Sequence, residues 1–158
     1  MSTLVPPHGS ESVKPLLLPE VERAEEQKRA EKLKKIPLDS RAVSDVFMLA
    51  LGAYTPLEGF MGHDDWRGSC IDMKMRNGVF WPIPITLPVD KDVAASIHDE
   101  EEVALVDAET NNILAVMDVH EKYSIDKQLE AEHVYRTTDP KHPGVAKVLA
   151  QGDVNLAG

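Results

Sequence analysis

The hydrophobic and polar positions along the chain predict several short helices followed by short strands. The first strongly apolar helix lies between Val43 and Leu51. A stripe with the spacing i, i+4, i+7 and i+8 comprises Val43, Phe47, Ala50 and Leu51, and Val46 and Leu49 lie on its flank. A helix that is apolar on most of its sides is normally buried. We therefore expect this helix in the core, with Asp39, Ser40 or Ser44 as its cap.

Other segments also carry helical patterns. Residues 19–35 are highly charged, with paired Glu and Lys or Arg residues and a thin apolar face, which predicts a solvated helix. Residues His63–Met75 place Trp66, Cys70 and Met73 at i, i+4 and i+7, which predicts one buried face. Shorter helices are predicted after Asp90, after Asp126 and from Val145 to Ala150.

The segment from Val79 to Val89 has the pattern of a strand. Its odd positions are all large and apolar, and its three prolines, Pro82, Pro84 and Pro88, all occupy even positions. Period two places the odd side chains on one face, towards the core. Because prolines at alternate positions remove donors from the same side, one edge lacks these N–H groups. We expect an edge strand.

The last third of the chain predicts antiparallel pairing. A hairpin is expected from Val103–Val106, the polar turn Asp107–Asn112 and Ile113–Val119. Residues 152–158 have the pattern of the beginning of another strand. Together with the helices, these strands predict an α+β domain with a small antiparallel sheet or barrel.

Two segments without regular structure contain many apolar residues. Residues 1–18 mix Pro, Gly and Ser with apolar residues and predict an extended arm that lies over the body. The loop from Gly52 to Gly62 begins where a left-handed residue can close a helix, and Pro56 fixes its next bend. Its apolar anchors are Tyr54, Leu57, Phe60 and Met61. We expect a helix-to-helix connection that packs on its own side chains.

Composition narrows the classes of function. The 158 residues, 42% hydrophobic and 28% charged, predict one soluble globular domain of ordinary size. The formal net charge of −10 argues against a nucleic-acid backbone or an anionic membrane as the main partner. No apolar run approaches the roughly 20 residues that span a bilayer. The first residues lack the features of a secretory signal, so we expect a cytoplasmic protein.

Patterns with catalytic or metal-binding chemistry are scarce. The sequence contains no phosphate-loop, dinucleotide, zinc-protease or serine-hydrolase motif. The single cysteine, Cys70, lies on a predicted core stripe, which favours packing over nucleophilic catalysis. His63, Asp64 and Asp65 open a helix, where carboxylates suit the dipole better than they converge on a metal. Asp118, His120, Glu121 and Asp126 cluster after the hairpin, but acidic residues are common near strand ends and helix caps. His142 is expected in a capping loop rather than as a ligand. We predict no catalytic, cofactor-binding or metal-binding residue.

Five blocks of residues, in the family's order, resemble the N-terminal domain of ATP sulfurylase (sulfate adenylyltransferase). The longest runs from Ser44 to Met61. The others are Pro7-His-Gly9, Asn77 to Leu87, Asp126-Lys127 with Glu130-Ala131, and Thr137-Thr-Asp139 with His142-Pro-Gly-Val145. The resemblance covers most of the chain and is weakest in residues 19–35. One departure is Arg136, which stands where the family frequently has a glycine.

The resemblance implies that residues 1–158 form a PUA-like, mostly antiparallel β-barrel with flanking helices. It implies a parent enzyme in which a sulfate oxygen attacks the α-phosphorus of ATP, assisted by Mg²⁺, to give adenylyl sulfate and pyrophosphate, or the reverse. The family's catalytic motifs, Gln-x-Arg-Asn, His-x-x-His and Gly-Arg-Asp, do not occur here. Gln27-Lys-Arg29 is followed by Ala30 and does not match.

We therefore expect the N-terminal portion of a longer, homo-oligomeric enzyme, inactive alone, with a C-terminal catalytic domain as its partner. Two other functions stay open at this point, because PUA-like domains elsewhere bind RNA and the solvated helix suits a scaffold or oligomerisation domain. A strongly basic surface patch would indicate RNA binding. A large apolar face near residues 144–158 would indicate a missing domain.

Overall fold

The structure is a computed structural model that describes residues 5–158. Residues 1–4, the beginning of the predicted arm, lie outside the described residues. The chain divides into two compact units. Unit 1 comprises the described residues up to Gly59 together with Glu102–Asp118, and unit 2 comprises Phe60–Glu101 and Val119–Gly158.

The described residues form six helices and six strands, which confirms the mixed α and β composition. In chain order they are α1 (Glu20–Ala30), β1 (Lys34–Leu38), α2 (Ser40–Ala50), α3 (His63–Asp72), β2 (Leu87–Val89), α4 (Lys91–Ser96), β3 (Glu102–Asp107), β4 (Ile113–Asp118), β5 (Glu121–Ser124), α5 (Lys127–Tyr135), α6 (Pro143–Ala150) and β6 (Val154–Ala157).

The sheet of unit 1 has the strand order β1–β3–β4. β3 and β4 pair antiparallel, which confirms the predicted hairpin. β1 pairs with β3 in parallel and buries Ile36 and Leu38. At the end of α1, Ala30 packs with Ala104 and Val106 of β3 in a small apolar cluster.

The charged helix, predicted over residues 19–35, is shorter than predicted. α1 ends at Ala30, and Lys34 and Lys35 belong to β1. Helix propensity favoured a continuation, but parallel pairing with β3 satisfies the backbone of this segment and buries Ile36. Ala30 is the one buried side chain of α1, which confirms its solvated character.

The apolar stripe predicted for α2 is only partly turned towards the core, with Val43 and Ala50 half-buried. The buried side chains of this helix are Ala42, Asp45, Val46 and Leu49. Phe47 and Leu51, which were expected in the core, are 54% and 62% exposed. The helix is apolar on two sides, and it lies against β1 and β4 with the side that carries Val46 and Leu49. Asp39 accepts a hydrogen bond from the Ala42 N–H at 2.8 Å, which confirms one of the predicted caps.

Gly52 closes α2 in the left-handed conformation that its position predicted. Its φ is +73°. The Gly52 N–H donates to the Leu49 carbonyl at 2.9 Å, and the Ala53 N–H donates to the Met48 carbonyl at 2.9 Å. These are the two hydrogen bonds of a Schellman motif.

The described part of the predicted arm lies on this helix end. The Lys14 N–H donates to Thr55 Oγ1 at 3.0 Å, and the Leu16 N–H donates to the Ala50 carbonyl at 3.0 Å. Thr55 Oγ1 in turn donates to the Gly52 carbonyl at 2.6 Å. The arm is therefore held by the Thr55 side chain of the loop and by the backbone at the end of α2.

The sheet of unit 2 has the strand order β2–β6–β5, and both of its pairings are antiparallel. β6 is its central strand, with Asn155 and Leu156 completely buried. This confirms that residues 152–158 include a strand. β5 was not predicted, because Tyr123 is the single buried residue among its four and no apolar alternation marks it.

Of residues 79–89, which were predicted to form one strand, only the last three form a regular strand, β2. β2 lies at an edge of its sheet, as the prolines predicted, and the Asn77-Gly78 turn brings Phe80 into an isolated bridge with Lys74. Ile83 was expected in the core and is 54% exposed. Three prolines deprive this segment of the donors that a continuous ladder requires.

The helices of unit 2 end and begin largely at the expected residues. α3 ends at Asp72 rather than Met75, because Met73 adopts a left-handed φ of 52°. Two predicted caps are confirmed. Asp126 Oδ1 accepts from the Leu129 N–H at 2.9 Å, and His142 Nδ1 accepts from the Gly144 N–H at 3.2 Å.

Arg136 closes α5 with a φ of +58°. Residues other than glycine rarely adopt this conformation, because their Cβ comes too close to the following carbonyl oxygen. The backbone therefore explains why a glycine suits this position.

The expected β-barrel is not confirmed. Each sheet in the described part of the chain has three strands, and neither closes on itself. Small sheets with flanking helices are confirmed. No helix among residues 5–158 is long and apolar enough to cross a membrane.

Candidate functional site

A connected group of polar and aromatic side chains lies around the beginning of α3 in unit 2. We call it the His63 cluster, and its members are His63, Trp66, Tyr123, Glu130 and Asn155. The His63 ring lies 5.7 Å from the Trp66 ring and 5.5 Å, edge to face, from the Tyr123 ring. The Trp66 and Tyr123 rings are 5.9 Å apart. α3 and β5 thus supply the aromatic rings of the cluster, and α5 and β6 supply its polar side chains Glu130 and Asn155.

Glu130 is a buried carboxylate with an aromatic partner. The side chain projects from α5 and is 2% exposed. The Trp66 indole Nε1 donates to Glu130 Oε2 at 2.8 Å. Because a buried charge without a donor is strongly destabilising, this bond couples α3 to α5 inside unit 2.

Tyr123 and Asn155 form the second polar pair of the cluster. The Tyr123 hydroxyl donates to the Met61 carbonyl at 2.9 Å and accepts from Asn155 Nδ2 at 3.2 Å. Burial raises the pKa of Tyr123 well above its usual range. The phenol therefore stays protonated at physiological pH and acts as a hydrogen-bonding group of the core.

Cys70 is buried beside this cluster. It packs with Trp66, Tyr123 and Ala157, and burial, together with the charge of Glu130, raises the pKa of its thiol to about 12. Since the thiolate is the nucleophilic form, the geometry confirms the predicted packing role.

The residues at the rim of the cluster do not converge on one point. Glu121 Oε2 accepts from the His63 N–H at 3.0 Å, while the Asp65 carboxylate accepts from the Arg76 N–H at 2.7 Å. His120 Nδ1 lies 3.3 Å from Glu100 Oε2. Among residues 5–158, no three His, Cys, Asp or Glu side chains are grouped as metal ligands.

The Gln27-Lys-Arg29 segment has a structural partner in unit 1. The Arg29 guanidinium pairs with Glu26 at 2.6 Å and with Glu102 at 2.5 Å. These hydrogen bonds raise the pKa of Arg29 and lower those of both carboxyls. The guanidinium thus connects α1 to the beginning of β3.

Residues 144–158 do not form the large apolar face that would have indicated a missing domain. Val145, Val148, Leu156 and Ala157 are buried, and Leu149 is the large exposed apolar side chain of that range. The sequence missed the roles of Glu130, Tyr123 and Asn155, because a buried polar residue shows no periodic signal. Glu130 was marked only as part of one block of the resemblance.

A sequence profile of the PUA-like domain matches residues 5–158. The chain belongs to the PUA-like domain family. The profile covers both units, including the His63 cluster.

Among its relatives, the chain is similar to sulfate adenylyltransferases over its whole length. It is 58% identical over 160 residues to that of Syntrophobacter fumaroxidans, a match of 100% of this chain and 39% of that protein. It is 53% identical to that of Chlorobaculum tepidum, matching 98% of this chain and 39% of the relative. The resemblance seen in the sequence is confirmed, and the chain spans 39% of the length of these relatives.

A solved structure agrees with this placement. The hexameric APS kinase from Thiobacillus denitrificans superposes on 98% of this chain with a TM-score of 0.70 and 26% sequence identity. The similarity covers 26% of that protein. The fold therefore occurs as one part of a larger protein.

Proposed function

We propose that this chain is the N-terminal portion of a sulfate adenylyltransferase and that it supports and flanks a catalytic portion. The observation that carries the proposal is the identity of 58% across the entire chain to a much longer sulfate adenylyltransferase. An unrelated protein would not preserve this identity over both units.

The geometry favours a structural role for this chain over a catalytic one. Candidate groups for chemistry are engaged in the fold: the Trp66 indole holds Glu130, burial keeps the Cys70 thiol protonated, and Arg29 pairs with two carboxylates. We assign no catalytic residue to this chain.

The reaction proposed for the parent protein is that of the sulfate adenylyltransferase family. Sulfate and ATP give adenylyl sulfate and pyrophosphate, or the reverse, by attack of a sulfate oxygen on the α-phosphorus. Positioning and charge stabilisation account for such a transfer without a covalent enzyme intermediate. ATP and Mg²⁺ bind to the catalytic portion in this proposal. In this proposal the parent protein is a cytoplasmic homo-oligomer.

A segment exchange tests the proposal. The 160-residue segment of the Syntrophobacter fumaroxidans relative that matches this chain is replaced by this chain, and the chimera is assayed with ATP, Mg²⁺, sulfate and pyrophosphatase. We expect sulfate-dependent phosphate release by the chimera and none by the isolated chain. An inactive chimera beside an active relative would overturn the proposal, and so would sulfate-dependent turnover by the isolated chain.

A further inference from the structure

Unit 1 exposes large apolar side chains on α2, on its C-terminal cap and on the arm that lies beside them. We call this group the outer α2 surface, and it comprises Val13, Leu16, Leu17, Leu18, Phe47, Met48 and Leu51. Each of these side chains is at least 38% exposed. Phe47 lies on α2, and Leu51 follows one turn later as its C-terminal cap. The hydrogen bond from the Leu16 N–H to the Ala50 carbonyl places the arm beside them.

The exposure of this surface conflicts with the pattern of the helix. α2 already buries Val46 and Leu49 on its inner side, and a helix that is apolar around most of its circumference is normally buried. Single exposed apolar residues are common on protein surfaces, but seven large ones on adjoining segments are typical of an interaction site.

The charges around the surface suit a polypeptide partner. Lys14 pairs with Glu58, and Arg41 lies 3.9 Å from Asp45 within α2. Lys14 and Arg41 are thus each matched by a carboxylate, and Arg23 donates to the Leu18 carbonyl at 2.8 Å. These three cations do not form an unmatched cluster that would attract phosphates. Apolar centres with few unpaired charges are characteristic of interfaces between proteins.

We propose that the outer α2 surface is the face on which the remaining part of the parent sulfate adenylyltransferase docks, an inference that rests on the function proposed above. The chain spans 39% of the relatives' length, so the larger part of such a protein lies outside it. That part is a polypeptide connected to this chain, and its high effective concentration favours docking.

The docking surface is tested by measuring how fast cysteines placed on it react with a thiol reagent. The chain's own Cys70 is 1% exposed, so a cysteine placed on the surface is the readily labelled thiol of this chain. Leu51→Cys is labelled with N-ethylmaleimide in the isolated chain and in the active chimera, and peptide mass spectrometry gives the rate at that position. Phe47→Cys is a second reporter on the same surface. Ile83→Cys is the matched control, because Ile83 is 54% exposed and lies in unit 2.

The expected result is protection of both reporters in the chimera. Docking should slow labelling at positions 47 and 51 by about tenfold or more relative to the isolated chain, since a covered site reacts only when it opens. Unchanged labelling at both positions in an active chimera would overturn the docking surface and leave the proposed function standing. Unchanged labelling in an inactive chimera would overturn both the docking surface and the proposed function. Protection in an inactive chimera would support the docking surface and overturn the proposed function.

A second copy of this chain is the alternative occupant. It is tested by labelling the isolated Leu51→Cys chain at low and high protein concentration. We expect equal rates. Labelling that slows as the isolated chain is concentrated would show that another copy covers the surface and would overturn the assignment to the rest of the parent protein.

Discussion

Replacing Gly52 by alanine is expected to detach the arm from α2. A Cβ on Gly52 would lie 2.6 Å from Val13 Cγ1, 2.9 Å from the Pro15 nitrogen and 3.0 Å from the Lys14 carbonyl carbon. The valine side chain can turn away, but the other two contacts are to backbone. The arm must therefore move, and with it part of the outer α2 surface.

The size of the effect follows from two contributions. A non-glycine residue at a φ of +73° costs roughly 1–2 kcal/mol. Movement of the arm breaks the hydrogen bonds from Lys14 N–H to Thr55 Oγ1 and from Leu16 N–H to the Ala50 carbonyl, each worth about 0.5–1.5 kcal/mol. Gly52→Ala should thus destabilise unit 1 by about 2–5 kcal/mol.

Urea unfolding measures the total loss of unfolding free energy. Amide hydrogen exchange, resolved by peptides, measures the release of the arm. The control is Gly78→Ala, because Gly78 has a φ of +84° and nothing within 4 Å of its added Cβ. This control should show the backbone cost alone, about 1–2 kcal/mol. Equal destabilisation by the two substitutions, with unchanged exchange at Lys14 and Leu16, would refute the argument from close approach.

Three further substitutions test other contacts. Arg136→Gly should stabilise the chain by up to about 1 kcal/mol in urea unfolding, because it removes the strain of a left-handed arginine; a loss of stability would show that the arginine side chain matters more. Trp66→Phe should destabilise by about 2–4 kcal/mol, since it removes both apolar volume and the donor to Glu130; a smaller loss for Trp66→Phe in a chain that also carries Glu130→Leu, which has no acceptor, would identify the hydrogen bond. Asp153→Asn should flatten the acid limb of the stability curve. The Lys127 hydrogen bond lowers the folded pKa of Asp153, so its contribution is present above the unfolded pKa of about 3.9 and is lost as pH falls through the lower folded value. An unchanged acid limb would contradict that assignment.

Local signals in the sequence predicted local structure well. Asp39, Asp126 and Gly52 occupy caps whose chemistry depends on a few neighbouring residues, and each makes or permits the expected cap. The hairpin of β3 and β4 was equally clear, because two apolar runs flank one polar turn. These features need no knowledge of the rest of the fold.

The errors occur where distant residues decide the outcome. Lys34 and Lys35 have helical propensity, but their pairing with β3 makes them a strand. α2 carries apolar residues on two sides, and periodicity alone does not tell which side meets the sheet, so Phe47 was placed in the core. The buried bond between Trp66 and Glu130 joins residues 64 positions apart. Such a pair leaves no signal in a single sequence.

Sulfate-dependent turnover of the chimera is the most direct test of the central claim. Its initial rate is compared with that of the Syntrophobacter fumaroxidans relative and with that of the same relative lacking the exchanged 160-residue segment. We predict that the chimera is active and that the shortened relative is not, since the proposed supporting role requires this chain beside the catalytic portion. Activity of the shortened relative at the level of the chimera would contradict the supporting role. So would a folded chimera without turnover.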